Sequence, residues 1–331
     1  MIERIPEYYN KFTCIASACP DSCCHLWEVD IDPDTAALYY ALPGALGDTL
    51  RNKMRHEDDT IYLTISDGRC PMWRQDGLCE IQCRLGHDAL SKTCREFPRI
   101  CHDYGDFIER GLELSCPAAA RLILSPENQN ILSATLSGGE PGDYDKEAMD
   151  ILLQSRNVLL SFWKECAYPL PQMLAITLLY AHEVQSWLDS GESAVFDPEG
   201  LLRAANKLSL SGDIGAINAY FRNLEILTPQ WKTRLCNPSP APWPKETPQF
   251  VRYALLRYYL QAVSDYDLIS RVKWIIISCL LLQHLGGDFV ETAQLFSKEI
   301  ENSADNMEAL FDGAYTSPAF TDRTLLGLLI K

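Results

Sequence analysis

The alternation of apolar and polar residues differs between the first third of the chain and the rest. Three short stretches of the first third alternate residue by residue, which is typical of half-buried strands. They lie at 27–32, 60–65 and 107–114. A helix is predicted over 35–42, because Asp32-Pro33-Asp34 supplies an early proline and acids in the first turn. The first third is therefore predicted to mix strands with short helices.

From about residue 147, apolar residues such as Leu174, Leu178 and Ala181 recur near helical spacing. The longest nearly uninterrupted apolar run, WIIISCLLL at 274–282, is shorter than the roughly 20 residues that cross a bilayer, so we expect a buried helix there. No short-period repeat is evident, which favours an irregular bundle over a solenoid. The predicted helices lie at about 147–166, 170–189, 199–210, 213–227, 248–264, 267–285, 288–302 and 321–330.

Residues 125–146 are rich in Ser, Gly, Pro, Asn and acids, a composition that indicates a domain boundary. The predicted organisation is a small cysteine-rich α+β metal-binding domain at 1–125, followed by an irregular helical domain at 147–331. The predicted fold class is mainly α.

The composition, 47% hydrophobic and 22% charged, is that of an ordinary soluble protein. A formal net charge of −16 argues against nucleic-acid binding, which needs a basic face, and is compatible with cationic, lysine-bearing partners. The first ten residues, MIERIPEYYN, lack the basic region and apolar core of a signal peptide. We therefore expect a cytoplasmic protein without a nucleic-acid or membrane partner.

Ten of the thirteen cysteines lie within the first 116 residues, and the spacing Cys14-x4-Cys19-x3-Cys23-Cys24 is the densest group. Disulfides explain such a cluster poorly in a reducing cytoplasm. Thiolates bind soft or borderline metals, and three or four of them hold a zinc ion or a cubane iron–sulfur cluster. The predicted metal ligands are Cys14, Cys19, Cys23, Cys24, Cys70, Cys79, Cys94 and Cys116. Outside this group, Cys166, Cys236 and Cys279 are predicted to be inert buried thiols.

Several motifs that would indicate other chemistry are absent from the sequence. The radical-type spacing Cys-x3-Cys-x2-Cys is missing, because Cys23 is followed directly by Cys24. The glycine pairs at 138–139 and 286–287 stand in neither a GxGxxG nor a GxxxxGK[ST] frame, which argues against Rossmann enzymes and P-loop NTPases. His25, His87 and His102 lie near cysteines, but a structural role is the more common one for such residues.

Four segments resemble the flagellin lysine-N-methylases of the FliB type, which belong to a wider set of zinc- or iron-chelating cysteine-cluster proteins. The resemblance covers roughly residues 10–125 and extends to the helical remainder only in character. The wider family commonly has Cys-x3-Cys-x2-Cys-Cys where this chain has four residues between Cys14 and Cys19, and Cys83 and Cys101 are additional, so the ligand set stays open. The segments are FTCIASACPDSCCHLWEVDID, GRCPMWRQDGLCEI, TCREFPRI and LELSCPAAARLIL.

The resemblance implies an S-adenosylmethionine-dependent protein-lysine N-methyltransferase with a [4Fe-4S] cluster, acting on flagellin or a similar lysine-bearing protein. Three thiolates would leave one iron open to the amino and carboxylate groups of S-adenosylmethionine. A carboxylate or a tyrosine would act as the base, and the sequence identifies neither the catalytic nor the cofactor-binding residues. Two alternatives stay open: a zinc-binding, non-catalytic protein-interaction module, and an iron–sulfur electron carrier or sensor, which is less favoured because small carriers rarely need so long a helical region.

Overall fold

The computed structural model describes residues 1–25, 27–127 and 129–330, and its strands all lie before residue 136. These strands are β1 (Ile2–Pro6), β2 (Val29–Asp30), β3 (Met54–Glu57), β4 (Thr60–Leu63), β5 (Arg99–Asp103), β6 (Phe107–Leu112) and β7 (Ile131–Thr135). They form a four-stranded sheet of order β5-β6-β1-β7 and a three-stranded sheet of order β2-β4-β3. The alternating stretches predicted at 27–32, 60–65 and 107–114 correspond to β2, β4 and β6.

The four-stranded sheet joins three distant parts of the chain. Strand β1 runs parallel to β6, with Ile2 opposite Phe107, and antiparallel to β7, with Ile2 opposite Thr135. Strand β7 lies inside the stretch 125–146 whose composition indicates a domain boundary. The sequence did not predict this strand, because its strand signal is short and the polar, glycine-rich residues on either side outweigh it.

Helices make up most of the remaining described chain, which confirms the mainly α fold class. Five short helices accompany the strands: α1 (Pro33–Ala41), α2 (Gly44–Lys53), α3 (Glu80–Leu85), α4 (Lys92–Glu96) and α5 (Pro117–Ile123). Ten more follow: α6 (Lys146–Glu165), α7 (Leu170–Ser190), α8 (Pro198–Ala205), α9 (Ile214–Arg222), α10 (Pro229–Cys236), α11 (Thr247–Tyr258), α12 (Leu268–Leu285), α13 (Phe289–Phe296), α14 (Ala304–Thr316) and α15 (Asp322–Leu329). We call residues 146–330 the helical part.

Two helices of the helical part, α10 and α14, were not predicted. A proline usually breaks a helical series, but Pro229 occupies the first turn of α10, where a missing N–H costs nothing. The Thr228 hydroxyl there accepts a hydrogen bond from the Trp231 amide. Helix α14 begins in the same way at Ser303, whose side chain accepts from the Asn306 amide. Both starts are capping arrangements that an apolar period does not reveal.

The buried apolar residues form two separate cores. The large core contains most of the helical part together with Tyr8, Phe12 and residues 107–124. Helix α12 is apolar and long enough to resemble a membrane span, yet 89% of it is buried inside the protein, which agrees with the buried helix predicted at 274–282. The small core lies within residues 29–90; we call this stretch the small unit. Packing therefore separates the small unit from the rest, whereas the limits 1–125 and 147–331 stay a prediction about independent domains.

A buried ion pair attaches the four-stranded sheet to the helical part. Arg156 on α6 donates from both terminal nitrogens to the carboxylate of Glu109 on β6, at 2.6 and 2.7 Å. Both side chains are less than a tenth exposed. Burial by itself would raise the pKa of Glu109, but Arg156 and Arg4 reverse that effect and hold the pKa below its usual value.

Candidate metal centre

Five of the predicted ligands come together although up to 71 residues separate them along the chain. Cys23 and Cys24 lie in a turn before β2, Cys70 follows β4, Cys79 directly precedes α3, and Cys94 lies within α4. The Cys70 amide donates to the Cys24 carbonyl oxygen at 2.9 Å, which joins two of these segments. Short elements and turns thus carry all five thiols to one place.

The five thiols line a cavity of about 340 Å³, which we call the cysteine cavity. Its volume falls in the range of small-molecule sites. Apolar side chains of the small unit form much of the wall, among them Val29, Ile31 and Leu63. Trp27 and Phe97 also contribute to the wall, with ring centroids 5.9 Å apart. The cavity combines soft donors with apolar and aromatic surfaces.

Among the five thiols of the cavity, Cys24 is the one whose surroundings lower its pKa. Hydrogen bonds from the thiols of Cys23 and Cys70 lower the pKa of Cys24 well below its usual range, and the nearby Arg69 guanidinium acts in the same direction. The same hydrogen bonds, together with burial, raise the pKa of Cys23 and of Cys70. One negative charge is therefore shared within this group, and a thiolate is available for a soft metal.

Cys79 directly precedes α3, and Cys94 lies within the short helix α4. Burial raises the pKa of Cys79, while the amides of Gln82 and Ile81 donate toward its sulfur and oppose the rise. Burial raises the pKa of Cys94 to about 11, and a hydrogen bond with Ser91 opposes that rise. Ser91 also accepts from the Cys94 amide at 3.3 Å, so the hydroxyl fixes the turn that carries this thiol. A metal would have to displace a proton from each of these two sulfurs.

The other three predicted ligands, Cys14, Cys19 and Cys116, do not line the cysteine cavity. Cys116 precedes α5, and burial raises its pKa, with smaller contributions from Cys19 and Cys14. The Cys19 thiol donates to the Asp21 carbonyl oxygen at 3.2 Å. Cys14 contributes to raising the pKa of Cys19, of Cys116 and also of Cys23, so these thiols lie within electrostatic reach of the cavity group.

The remaining cysteines are dispersed. Cys83 and Cys101, the two additional residues of the cysteine-rich region, are exposed. Cys279 is buried in α12 as predicted, but Cys166 and Cys236 are exposed, so the prediction of burial was wrong for both. Each of them ends a helix, where the chain turns away from the core: Cys166 has a φ of 48° after α6, and Cys236 is the last residue of α10.

The donor set can be compared with the metals that were predicted for it. Among the described residues, no three His, Cys, Asp or Glu side chains already have the arrangement of a metal site. The sulfurs of Cys23, Cys24 and Cys70 hydrogen-bond to one another instead. By its chemistry the set fits, because five sulfur donors around one cavity exceed the three or four that a cluster or a zinc ion takes. Which of them bind metal stays a prediction.

Two polar residues of the cavity wall, Glu113 and Asn302, were not identified from the sequence. The carboxylate of Glu113 accepts from the Ser115 hydroxyl at 3.3 Å and lies 3.9 Å from Arg257. Burial raises the pKa of Glu113, and the Arg257 charge opposes this rise. Glu113 lies in the LELSCP segment, where the sequence shows only a polar residue between two leucines. Asn302 comes from the helical part, and no local pattern of the sequence connects it with the cysteines.

No family model matches the chain, and no solved structure does. The flagellar biosynthetic protein FliU of Salmonella muenchen is 35% identical over 127 residues, which are 36% of this chain and 75% of that protein. The chain belongs to the FliU family.

Proteins named lysine-N-methylase are further relatives of this FliU-family chain. Those of Salmonella typhimurium (strain LT2) and Salmonella choleraesuis (strain SC-B67) are each 34% identical to it over 135 residues, which are 39% of this chain. The chain spans about a third of the length of these two proteins, since the match covers 34% of each. The similarity to lysine-N-methylases expected from the sequence is thereby confirmed over part of the chain.

Proposed function

We propose that this chain is an S-adenosylmethionine-dependent protein-lysine N-methyltransferase that acts on flagellin or a similar protein and holds a [4Fe-4S] cluster in the cysteine cavity. The names of its relatives support a methyltransferase connected with the flagellum. The observation that carries the proposal is the meeting of five thiols with two carboxylates, Glu28 and the more deeply buried Glu113, on the wall of a single cavity.

The cluster ligands would be drawn from the five thiols of the cavity: Cys23, Cys24, Cys70, Cys79 and Cys94. Three of these thiols would hold the cluster, which would supply a binding site for S-adenosylmethionine. Cys24 is the strongest candidate among the five, because its environment already favours the thiolate. The apolar wall would exclude water and so strengthen the charge interactions inside the cavity.

Glu113 is the residue that would receive the methyl acceptor. A lysine side chain entering the cavity brings an ammonium group, and a half-buried carboxylate is the natural partner for it. Trp27 and Phe97 offer aromatic faces, which attract both ammonium and sulfonium cations. The lysine ammonium first loses one proton, for which the Glu113 carboxylate is the candidate acceptor. The neutral amine nitrogen then forms a bond to the methyl carbon as the carbon–sulfur bond breaks, and the neutral thioether departs. Holding the amine in line with the methyl group is the main task of the protein.

The overall charge of the chain suits a lysine-bearing partner. With a formal net charge of −16, the protein attracts cationic segments over long distances. Salt screens this attraction, so the association rate of the partner should fall as ionic strength rises. The wall residues of the cavity then decide which side chain enters.

The proposal is tested by anaerobic purification followed by iron, sulfide and zinc analysis, visible spectroscopy and a methylation assay on flagellin. We expect a brown protein with about four irons per chain and mass increases of one methyl on lysine, dependent on S-adenosylmethionine. Cys24→Ser should lose both properties. Cys83→Ser is the matched control, since Cys83 is exposed and does not line the cavity. A colourless protein with stoichiometric zinc and no methylation would support the non-catalytic zinc module instead.

A further inference from the structure

The helical part contacts the cysteine-rich region at the end of α13, where the helix widens into a π-helical turn (Ser297–Glu301). Lys298 in this turn has its Nζ 2.6 Å from Oδ1 of Asp21, which lies 277 residues earlier. Only 3% of the Lys298 side chain is exposed. A lysine this deeply buried needs a charged partner, and Asp21 supplies it.

Gln294, one turn earlier on α13, holds the other side of the same carboxylate. Its Nε2 donates to Oδ2 of Asp21 at 3.0 Å and to the carbonyl oxygen of Ser115 at 2.7 Å. Both oxygens of Asp21 are therefore bound from the helical part. A single amide group also connects two loops that are 94 residues apart in the sequence. We call Gln294 and Lys298 the α13 clamp.

The two loops held by the α13 clamp both carry predicted metal ligands. Asp21 stands between Cys19 and Cys23, and its backbone carbonyl accepts the Cys19 thiol at 3.2 Å. Ser115 directly precedes Cys116. The clamp therefore fixes the Cys19–Cys24 loop (19–24) relative to the start of α5.

The π-helical turn also reaches the cysteine cavity itself. Asn302, the residue that follows the turn, lines the cavity. The Lys298 ammonium lies 5.5 Å from the centre of the Trp27 ring, and Trp27 is part of the cavity wall. Such π-helical turns occur frequently at functional sites, because they redirect side chains that a regular helix would place elsewhere.

A stabilising contact between α13 and the loop would not require charged groups. A buried ion pair can often be replaced by apolar residues without loss of stability, whereas removing one partner leaves an uncompensated charge. The clamp fixes the orientation of the Asp21 side chain, because both oxygens of its carboxylate are bound. The loop that carries Cys23 and Cys24 then has one orientation as well.

We propose that Gln294 and Lys298 are positioning residues for the cysteine centre, which orient the Cys19–Cys24 loop through Asp21. The clamp itself follows from the contacts of the protein, whereas its effect on a cluster rests on the function proposed above. The test must therefore contain one readout that needs no metal.

The first readout is the alkylation rate of each cysteine in metal-free full-length protein, followed by mass spectrometry. In Lys298→Met we expect the partly buried Cys19 to react about tenfold faster, because the loop opens locally without unfolding the rest. Cys279 should be unchanged, and Lys298→Arg should restore the slow rate. The control is Lys273→Met, which removes another buried lysine: its Nζ lies 3.1 Å from Asp322, and its side chain is 8% exposed. It should leave the rate of Cys19 unchanged.

The second readout is the iron content and visible spectrum of the anaerobically prepared variants. Lys298→Met and Gln294→Leu should lower the iron content or change the spectrum, whereas Lys273→Met should alter neither. Unchanged alkylation rates in Lys298→Met, with a loss of stability like that of Lys273→Met, would overturn the clamp and leave Lys298 a purely structural residue. If the unmodified protein binds no iron, the proposed function fails, but the alkylation rates still decide whether the clamp exists.

Discussion

The two apolar cores of this protein are built differently. In the large core, sixteen of the eighteen residues of α12 are buried, and helices surround it on several sides. The small core contains thirteen buried residues in the described chain, and eight of these also line the cysteine cavity. The large core is filled by its own side chains, as protein interiors usually are, whereas the small core surrounds a space. If the proposed cluster fills this space, folding of the small unit and binding of the cluster are coupled.

The largest effect is expected from removing the proposed cluster from the cysteine cavity. If the cluster is removed by anaerobic chelation, the amides of the small unit (29–90) should lose their protection against hydrogen exchange. The reason is that metal binding at thiolate sites contributes on the order of 10 kcal/mol to the folding of small domains. Hydrogen–deuterium exchange measured by mass spectrometry checks this region by region.

The amides of α7 and α12 in the large core serve as the internal control and should keep their protection. Equal protection of the small unit with and without metal would show that its thirteen core residues are sufficient without any bound group.

Breaking the ion pair between the sheet and the helical part should have the next largest effect. Glu109→Ala leaves the Arg156 charge buried without its partner, so we expect a loss of about 3–5 kcal/mol in the free energy of unfolding. Chemical denaturation followed by circular dichroism measures it. Arg4→Ala is the control: Arg4 lies 3.4 Å from the same carboxylate but is 27% exposed, so its loss should cost about 1 kcal/mol or less.

The same pair predicts a pH dependence. Because the pKa of Glu109 is lowered in the folded protein, its contribution to stability is present above the pKa of an unfolded glutamate. The contribution is lost as the pH falls through the folded value. The stability difference between the parent protein and Glu109→Gln should therefore shrink in acid, and a difference that grows there would contradict the sign.

A smaller difference in the free energy of unfolding is expected between two leucine-to-alanine variants, one in each core. Leu281→Ala, in the large core, removes a side chain with 0% exposure and should cost about 2–5 kcal/mol. Leu63→Ala removes the same atoms from the cavity wall and should cost less, because one side of Leu63 faces open space and makes fewer contacts. Denaturation of the metal-loaded protein compares the two, and equal costs would mean that the small core is as densely packed as the large one.

The smallest effect should come from Cys83→Ser, which we expect to stay within about 0.5 kcal/mol of the parent protein and to keep its iron. Cys83 is exposed on α3. Cys79→Ser, four residues earlier, should lower the iron content, because Cys79 lines the cysteine cavity. Iron analysis of the two variants side by side makes the comparison, and similar losses in both would place the centre elsewhere.

Apolar periodicity predicted long helices well and short elements less well. The predicted helix at 267–285 matches α12 closely, since many apolar residues define its period. Residues 87–93 have a weak helical pattern, but α4 begins only at Lys92, because the Ser91 side chain caps it and accepts from the Cys94 amide. A cap outweighs the weak pattern of a five-residue helix.

The candidate site was predictable as a set of residue types and not as a geometry. Close spacing suggested that Cys14, Cys19, Cys23 and Cys24 are ligands of one metal centre. In the structure, only Cys23 and Cys24 of these line the cavity. The chain turns between them at Pro20 and Asp21, and the direction of that turn is set by the α13 clamp. A contact between residues 277 positions apart leaves no signal in local spacing.

The same separation imposes an order of events during synthesis. Asp21 leaves the ribosome long before Lys298, and at about 5–20 residues per second the 277 intervening residues take roughly 15–60 s to make. During that time Cys19, Cys23 and Cys24 belong to a loop whose two anchoring side chains do not yet exist. A metal could meet an oriented loop only after α13 has been made, so the proposed cluster would be inserted at the end of biosynthesis, and the nascent thiols are exposed to oxidation until then.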